Sequence, residues 1–257
     1  MSVHATHLDI VPSDIRSATI EHQFESADQQ RETATLGMWT FLSTEILFFG
    51  ALFVAYGIYR LRWPEAFRQG SIDLKWYLGT VNTGILLLSS YFMAMAVHAS
   101  QQGKNEKIVR NLIITMALAT VFVCIKMTEY YLEYDEGLVP GITFTTHEPD
   151  PKSESAFTRA FTRFDHWTGQ AARNPRERKT RPPQEQLFMM FYFVMTGIHA
   201  THMLIGLCLM TWLLIMARRK KFTPYWHNPV EVVGLYWHFV DTVWVFLFPI
   251  LYLLRNP

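Results

Sequence analysis

Five long apolar blocks constrain this sequence more than any other feature. They lie at residues 36–59, 76–98, 108–132, 187–217 and 232–254, and most charged residues fall between them. About 20 helical residues cross the hydrocarbon core of a bilayer, and four of the blocks are long enough to do so. The third block is long enough if the charged side chains at its end extend to the interface. Because a backbone in lipid must satisfy its own hydrogen bonds, each block predicts a helix. The predicted fold is all-α, a polytopic membrane bundle of five transmembrane helices.

The sequence outside the blocks predicts a polar tail, short links and one long loop. Residues 1–35 are predicted to form a polar tail ahead of a membrane domain at 36–257. The loop at about 133–186 is proline-rich and of mixed charge, which favours irregular structure. Aromatic residues at helical spacing, with arginines between them, indicate either an amphipathic helix on the membrane or a partner, or a partly ordered loop. They are Phe157, Arg159, Phe161, Arg163, Phe164 and Trp167.

Basic residues in the links predict the orientation. The link between blocks two and three contains Lys104, Lys107 and Arg110, and residues 218–221 between blocks four and five are all basic. The positive-inside rule makes these links cytoplasmic, although the first link also carries four basic residues. This predicts a cytoplasmic N-terminus and a periplasmic long loop and C-terminus. Aromatic residues near block ends predict interfacial belts; they are Trp39, Tyr56, Tyr59, Trp63, Trp76, Tyr77 and Tyr252.

Charge and cysteine content exclude several classes of protein. A net charge of +1 argues against a nucleic-acid partner held by bulk electrostatics. Cys124 and Cys208 lie in separate apolar blocks, which excludes a cysteine-rich metal knuckle and argues against a disulfide framework.

Three carboxylates in or near the apolar blocks are candidate functional residues: Glu45, Glu129 and Asp241. A charged side chain at a helix centre costs about 2.5–3.5 kcal/mol on insertion scales, so such residues are rarely accidental. Lys126 precedes Glu129 by three residues and can meet it on one helix face, near the outer end of the third span.

Histidines accompany these carboxylates in blocks four and five. His199 and His202 are three residues apart on one helix face, and His238 follows Trp237 in the last block. From the rise per residue, we expect His202 and His238 to lie in the inner half of the membrane, near the level of Glu45.

These residues leave three kinds of chemistry open. His199, His202 and His238 could together ligate a metal or a b-type haem. Glu45 could take part in proton relay or ion passage. The residues alone favour a structural role, in which buried carboxylates bond histidines and hydroxyls on neighbouring helices. Small residues would then allow close helix contacts: Gly50, Gly79, Gly84, Gly197 and Gly206.

Four motifs occur in order on four of the five blocks. Residues 236–248, YWHFVDTVWVFLF, and residues 196–206, TGIHATHMLIG, resemble the final-helix signature and the paired-histidine motif of the preceding helix in subunit III of haem-copper terminal oxidases. Residues 41–49, FLSTEILFF, resemble the serine–glutamate helix, with Glu45 at the glutamate position. In residues 126–130, KMTEY, Glu129 matches the glutamate that precedes an aromatic pair. The resemblance covers the chain from about residue 35 to 254, apart from the long loop.

The resemblance implies a subunit without a catalytic centre of its own, in a bacterial inner membrane. It would pack against the catalytic subunit I and other subunits of a respiratory oxidase that reduces oxygen to water and pumps protons. Haem and copper would lie in those partner subunits, with no metal in this chain. In this family subunit III supports sustained turnover and proton uptake and binds phospholipid in a cleft between helices. The Glu45 position is the family's buried, carbodiimide-reactive carboxylate, for which a direct relay role is not implied.

Two departures from the family pattern stand out. Many members have two further N-terminal helices, so this chain resembles the five-helix form found in bacterial oxidases, including quinol oxidases. The loop at about 137–185 is longer than in comparable members, and its Phe/Arg pattern suggests contact with a cytochrome c domain or another subunit. Two rival functions remain: a nitric oxide reductase-associated homologue of subunit III, and an independent proton-coupled transporter using Glu45 and Asp241.

Overall fold

The computed structural model describes residues 24–141, 183–224 and 226–253, which fold as helices joined by short turns. Five of these helices are long and apolar enough to cross a membrane, which confirms the predicted all-helical bundle of five spans. The described residues contain no strand beyond one bridge pair, Thr223 and Trp226. The helices are α1 (Ala27–Arg62), α2 (Pro64–Asp73), α3 (Trp76–Gln101), α4 (Asn105–Asp135), α5 (Pro183–Arg218) and α6 (Asn228–Phe248), with a π-helical turn at Pro249–Leu253.

The first span begins earlier in the sequence than hydropathy predicts. Helix α1 begins at Ala27 because the Ser26 hydroxyl caps it, accepting a hydrogen bond from the Gln29 backbone N–H at 3.1 Å. The predicted polar tail at 1–35 is therefore helical from residue 27 onwards. Residues 1–23 and 142–182 lie outside the described residues, so the Phe/Arg pattern and the side of the membrane on which the long loop lies stay predictions.

Helix α2 was not predicted, because its ten residues resemble a charged link. Pro64 occupies the first helical position, where its missing N–H is not needed, and Phe67 is fully buried. The Phe67 ring packs edge-on against Phe188 of α5 at 5.6 Å and against Tyr56 of α1 at 5.3 Å. A Cβ at Gly70 would collide with the Phe188 ring, so glycine allows α2 to lie directly on α5.

Helix α6 forms the centre of the bundle. Of its membrane window 56% is buried, against 17% for α1. It packs on α1, α3 and α5, while α4 packs on α3 and α5. Trp237 and Trp244 of α6 are fully buried large side chains in the core. Helix α6 is therefore the most enclosed of the five spans described.

Close helix contacts occur at two of the five glycines predicted to allow them. A Cβ at Gly79 would lie 2.7 Å from the Phe248 ring, and one at Gly206 would lie 2.8 Å from the Trp237 ring. For Gly50, Gly84 and Gly197 the prediction is wrong within the described part of the chain, because no described atom lies within 4 Å of their Cβ positions.

The bundle has two ends, named here by what connects the helices. The short-turn end carries the start of α1 and the α3–α4 and α5–α6 turns, and the long-loop end carries α2, the end of α4 and the start of α5. Trp39 and Tyr59 are exposed, as a belt requires. Tyr56, Tyr77 and Tyr252 are buried, so their belt prediction is wrong: their rings pack inside the bundle.

Candidate functional site

Among the residues that the structure describes, the most extensive polar cluster lies towards the long-loop end. Lys126 Nζ of α4 lies 2.8 Å from Glu129 Oε2 and donates to the Tyr192 and Tyr252 hydroxyls, both at 2.9 Å. The Tyr252 hydroxyl donates to Glu129 Oε1 at 2.6 Å. These four residues, termed the lysine cluster, are all buried and come from α4, α5 and the π-helical turn. Breaking such a buried pair by removing one partner costs about 3–5 kcal/mol.

Aromatic rings enclose the ammonium group of the cluster. Lys126 Nζ lies 5.0–5.6 Å from the ring centres of Tyr130, Tyr192, Trp244 and Tyr252. Cation–π attraction of this kind is strengthened by desolvation. The Tyr130 hydroxyl lies 2.6 Å from Thr196 Oγ1, so α4 and α5 are also joined beside the cluster. The arrangement stabilises a charge that hydrocarbon alone would not tolerate.

A second polar contact joins α1 to α5. His202 Nε2 lies 3.2 Å from Glu45 Oε2, and His202 Nδ1 lies 2.9 Å from the Ile198 carbonyl oxygen. A carbonyl oxygen only accepts, so Nδ1 donates to Ile198, and Nε2 faces the Glu45 carboxyl group. The Tyr236 hydroxyl donates to the His202 carbonyl at 3.0 Å, which adds α6 to this contact.

A third set of polar contacts, termed the α3–α6 seam, joins α6 to α3. Trp237 Nε1 donates to Ser89 Oγ at 3.1 Å, and Trp244 Nε1 donates to Thr83 Oγ1 at the same distance. His238 Nδ1 lies 2.6 Å from Ser90 Oγ. These bonds fix the register of the two helices, because each tryptophan or histidine meets a hydroxyl at one level only.

Asp241 lies in the same seam but takes no part in the three hydrogen bonds described above. Its carboxyl group is buried, and neither oxygen hydrogen-bonds another described residue. Ser90 lies beside Asp241, and its Oγ lies 2.6 Å from His238 Nδ1. The register contacts expected of Asp241 are thus made by Trp237 and His238.

The histidines do not converge. His199 is buried between Phe122 and Trp244, with ring centres 5.8 Å and 5.2 Å away, and neither nitrogen bonds a described residue. His202 meets Glu45 and His238 meets Ser90, so the three rings face different neighbours. Across the described ranges, no three His, Cys, Asp or Glu side chains form a group that could hold a metal. The absence of haem and metal from the whole chain stays a prediction.

Several residues of these contacts were not singled out from the sequence. Tyr192 and Tyr252 complete the lysine cluster, yet an aromatic residue near a block end ordinarily indicates a membrane interface. Ser89 and Ser90 form a polar pair within block two, a weak signal that alone specifies no partner. Glu133 also lies against the lysine cluster and is buried, although it falls at the predicted start of the loop.

The bundle and its internal contacts define a class: multi-pass helical membrane proteins whose ionisable side chains face one another between helices. Comparison with known proteins makes the class specific. Residues 184–255 match the family described as cytochrome c oxidase subunit III. This match and the curated relatives below support the haem-copper oxidase subunit III family, which confirms the resemblance drawn from the four motifs.

Curated relatives match over most of the chain. It is 28% identical to quinol oxidase subunit 3 of Bacillus subtilis (strain 168) over 239 residues, which span 91% of this chain and 96% of that protein. It is 28% identical to a probable cytochrome c oxidase subunit 3 of Nocardia farcinica (strain IFM 10152), covering 86% and 88% of the two chains. A probable quinol oxidase subunit 3 of Staphylococcus aureus (strain USA300) is 25% identical, covering 90% and 93%.

Proposed function

We propose that this chain is a non-catalytic subunit III of a haem-copper respiratory oxidase that reduces oxygen to water and pumps protons. Its role is to support the assembly, stability and proton uptake of the catalytic subunit. The observation that carries the proposal is that the internal polar groups face one another across helix contacts. Such groups fix the shape of a bundle that another subunit can recognise.

The family motifs lie at the helix contacts. Glu45 and His202 come from two different motifs and lie against each other between α1 and α5. Trp237, from the last motif, bonds Ser89 between α6 and α3. Glu129 bonds Tyr252 between α4 and the turn after α6. A set of motifs placed in this way supports a scaffold rather than a reaction centre.

The outer surface of the bundle is apolar, as contact with lipid and partner subunits requires. Helix α1 is the least covered span. Its large exposed apolar side chains include Leu36, Leu47, Val54, Ile58 and Leu61. We propose that membrane phospholipid and other oxidase subunits, subunit I among them, cover this surface.

Charge distribution supports a cytoplasmic short-turn end and an N-terminus inside. At the long-loop end, Arg68 pairs with Glu65 at 2.6 Å and Lys75 with Glu136 at 2.8 Å, so acidic residues offset these basic ones. At the short-turn end, Lys104, Lys107, Arg110 and residues 218–221 are exposed. Of the basic residues named here, those at the short-turn end are the exposed ones, which by the positive-inside rule favours the cytoplasm for that end.

Affinity purification of the tagged chain from native membranes tests the proposed function. We expect haem-bearing subunits to co-purify, giving a haem absorption spectrum and oxygen consumption. A complex that consumes nitric oxide instead of oxygen would identify the reductase-associated homologue. Recovery of the chain alone, with ion-coupled transport in vesicles, would contradict the proposal and favour a transporter.

Deletion of the chain tests the supporting role. We expect the remaining oxidase, in reconstituted vesicles, to pump fewer protons per electron and to inactivate during sustained turnover. Unchanged pumping and lifetime in the complex without this chain would show that it serves neither purpose.

A further inference from the structure

Glu133 of α4 is a buried carboxylate that the contacts described above do not use. Its residue exposure is 3%, and neither carboxylate oxygen hydrogen-bonds another described residue. It lies four residues after Glu129, one helical turn closer to the long-loop end, on the same face of α4. The side chain is therefore enclosed by the bundle beside the lysine cluster.

The cations near Glu133 are already engaged with other carboxylates. Lys126 Nζ lies 2.8 Å from Glu129 Oε2, and Lys75 Nζ lies 2.8 Å from Glu136 Oε1. With every group ionised, the enclosed space would hold two carboxylates, Glu129 and Glu133, against the single ammonium of Lys126. One negative charge would then lie buried without a cation of its own.

The groups facing Glu133 come from three elements and supply no further positive charge. From α4 they are Lys126, Glu129, Tyr130 and Glu136; from α5, Tyr192; and from the π-helical turn, Tyr252. The Tyr192 hydroxyl accepts from Lys126 and turns its own O–H towards Glu133, a neutral donor rather than a cation, while the Tyr252 hydroxyl donates to Glu129. Glu185, buried near the start of α5, has an interaction of its own.

A buried carboxylate in these surroundings is neutralised by binding a proton. Desolvating an unpaired charge costs far more than taking up a proton from neutral solution. A second carboxylate in the same site adds repulsion, so that one of the two holds the proton. Glu129 has both the ammonium and the Tyr252 hydroxyl to stabilise its charge, whereas Glu133 has neither bond.

We propose that Glu133 and the lysine cluster form a proton-binding site, with Glu133 carrying the proton at neutral pH. The proton exchanges with the aqueous phase at the long-loop end. Glu136, three residues further along α4, has a side chain 25% exposed and links the site to that phase. The proposal concerns this chain's own residues and does not depend on the proposed respiratory role.

Infrared spectroscopy of the purified full-length chain in its complex tests the site. At about pH 7 an exposed glutamate is ionised, since its ordinary pKa is about 4.3. We expect the wild-type spectrum minus the Glu133→Gln spectrum to show the C=O band of one protonated carboxylic acid, which shifts in D2O. Glu106→Gln, an exposed substitution on the same helix, is the matched control and should show no such band.

Two results would overturn the proposal. The first is a Glu133→Gln difference spectrum that shows loss of an ionised carboxylate and no acid band. The second is loss of the acid band in Glu129→Gln instead. Thermal unfolding adds an independent measurement, because glutamine resembles the protonated acid. Glu133→Gln should leave the melting temperature unchanged, and its failure to accumulate in membranes would equally contradict the proposal.

Discussion

Glu45 Oε2 of the first span and His202 Nε2 of the fourth lie 3.2 Å apart, between two helices that are distant in sequence. The contact matters because α1 is the least buried of the five spans. Together with the Tyr56 hydroxyl, which donates to the Ile250 carbonyl at 3.0 Å, the contact attaches this exposed helix to the bundle.

Replacing Glu45 should loosen this attachment without removing haem. We expect Glu45→Ala to lower the stability of the complex by about 1–3 kcal/mol, the cost of leaving a buried partner unsatisfied. Melting temperature and activity under sustained turnover measure the effect. Thr44→Ala is a matched control, because the Thr44 hydroxyl is exposed and bonds a carbonyl of its own helix. Haem content falling in proportion to stability would indicate a ligand-like role instead.

The lysine cluster predicts a larger effect from a single substitution. Lys126→Met removes the ammonium and leaves Glu129 buried without its cation, at a cost of about 3–5 kcal/mol. The double variant Lys126→Met with Glu129→Gln should recover part of this loss, which thermal unfolding of the complex would measure. Lys107→Met, on an exposed position of the same helix, should change stability by about 0.5 kcal/mol or less. Equal melting temperatures for the two methionine variants would argue against a structural cluster.

Substitution by alanine should have opposite effects on stability at Gly79 and at Gly84. In Gly79→Ala the new methyl group would meet the Phe248 ring at 2.7 Å, and such overpacking costs about 1–3 kcal/mol. In Gly84→Ala, on the same helix, the methyl group meets no described atom, and helix propensity favours alanine by up to about 1 kcal/mol. Protein yield and melting temperature distinguish the two. A loss at Gly84 as large as that at Gly79 would show that a partner subunit packs there.

The α3–α6 seam predicts coupled effects. Trp237→Phe removes the 3.1 Å bond to Ser89 and should cost about 0.5–1.5 kcal/mol beyond the loss of ring contacts. Ser89→Ala removes the same bond from the other side. Thermal unfolding should therefore show that the double variant loses less stability than the sum of the losses in the two single variants. Strict additivity would mean that the bond contributes nothing.

Hydropathy predicted the five spans well, because each span is set by composition over some 20 residues. The pairing of Lys126 with Glu129 also followed from sequence, since three residues on one helix suffice to define it. Helix α2 was not predicted, because its stability comes from Phe67 and Gly70 packing on Phe188, residues distant in sequence.

The partners across helices could not be predicted in the same way. A tyrosine near a span end looks alike in sequence whether it faces the interface or the core, so Tyr56 and Tyr252 were assigned to belts and proved buried. Likewise, the motif around Asp241 indicated a polar seam but did not specify that Trp237 and His238 supply its bonds. The rotation of each helix about its axis decides which side chains face the core, and hydropathy does not determine that rotation.

The central position of α6 has a consequence for how the protein is made. Ribosomes synthesise α6 after the other five helices described, yet it supplies Trp237 and Trp244 to α3 and is followed by Tyr252, which completes the lysine cluster. Until that segment enters the membrane, Ser89, Thr83 and Glu129 lack those partners. A chain that stops before α6 leaves unsatisfied polar groups in lipid, a defect that membrane quality control can detect.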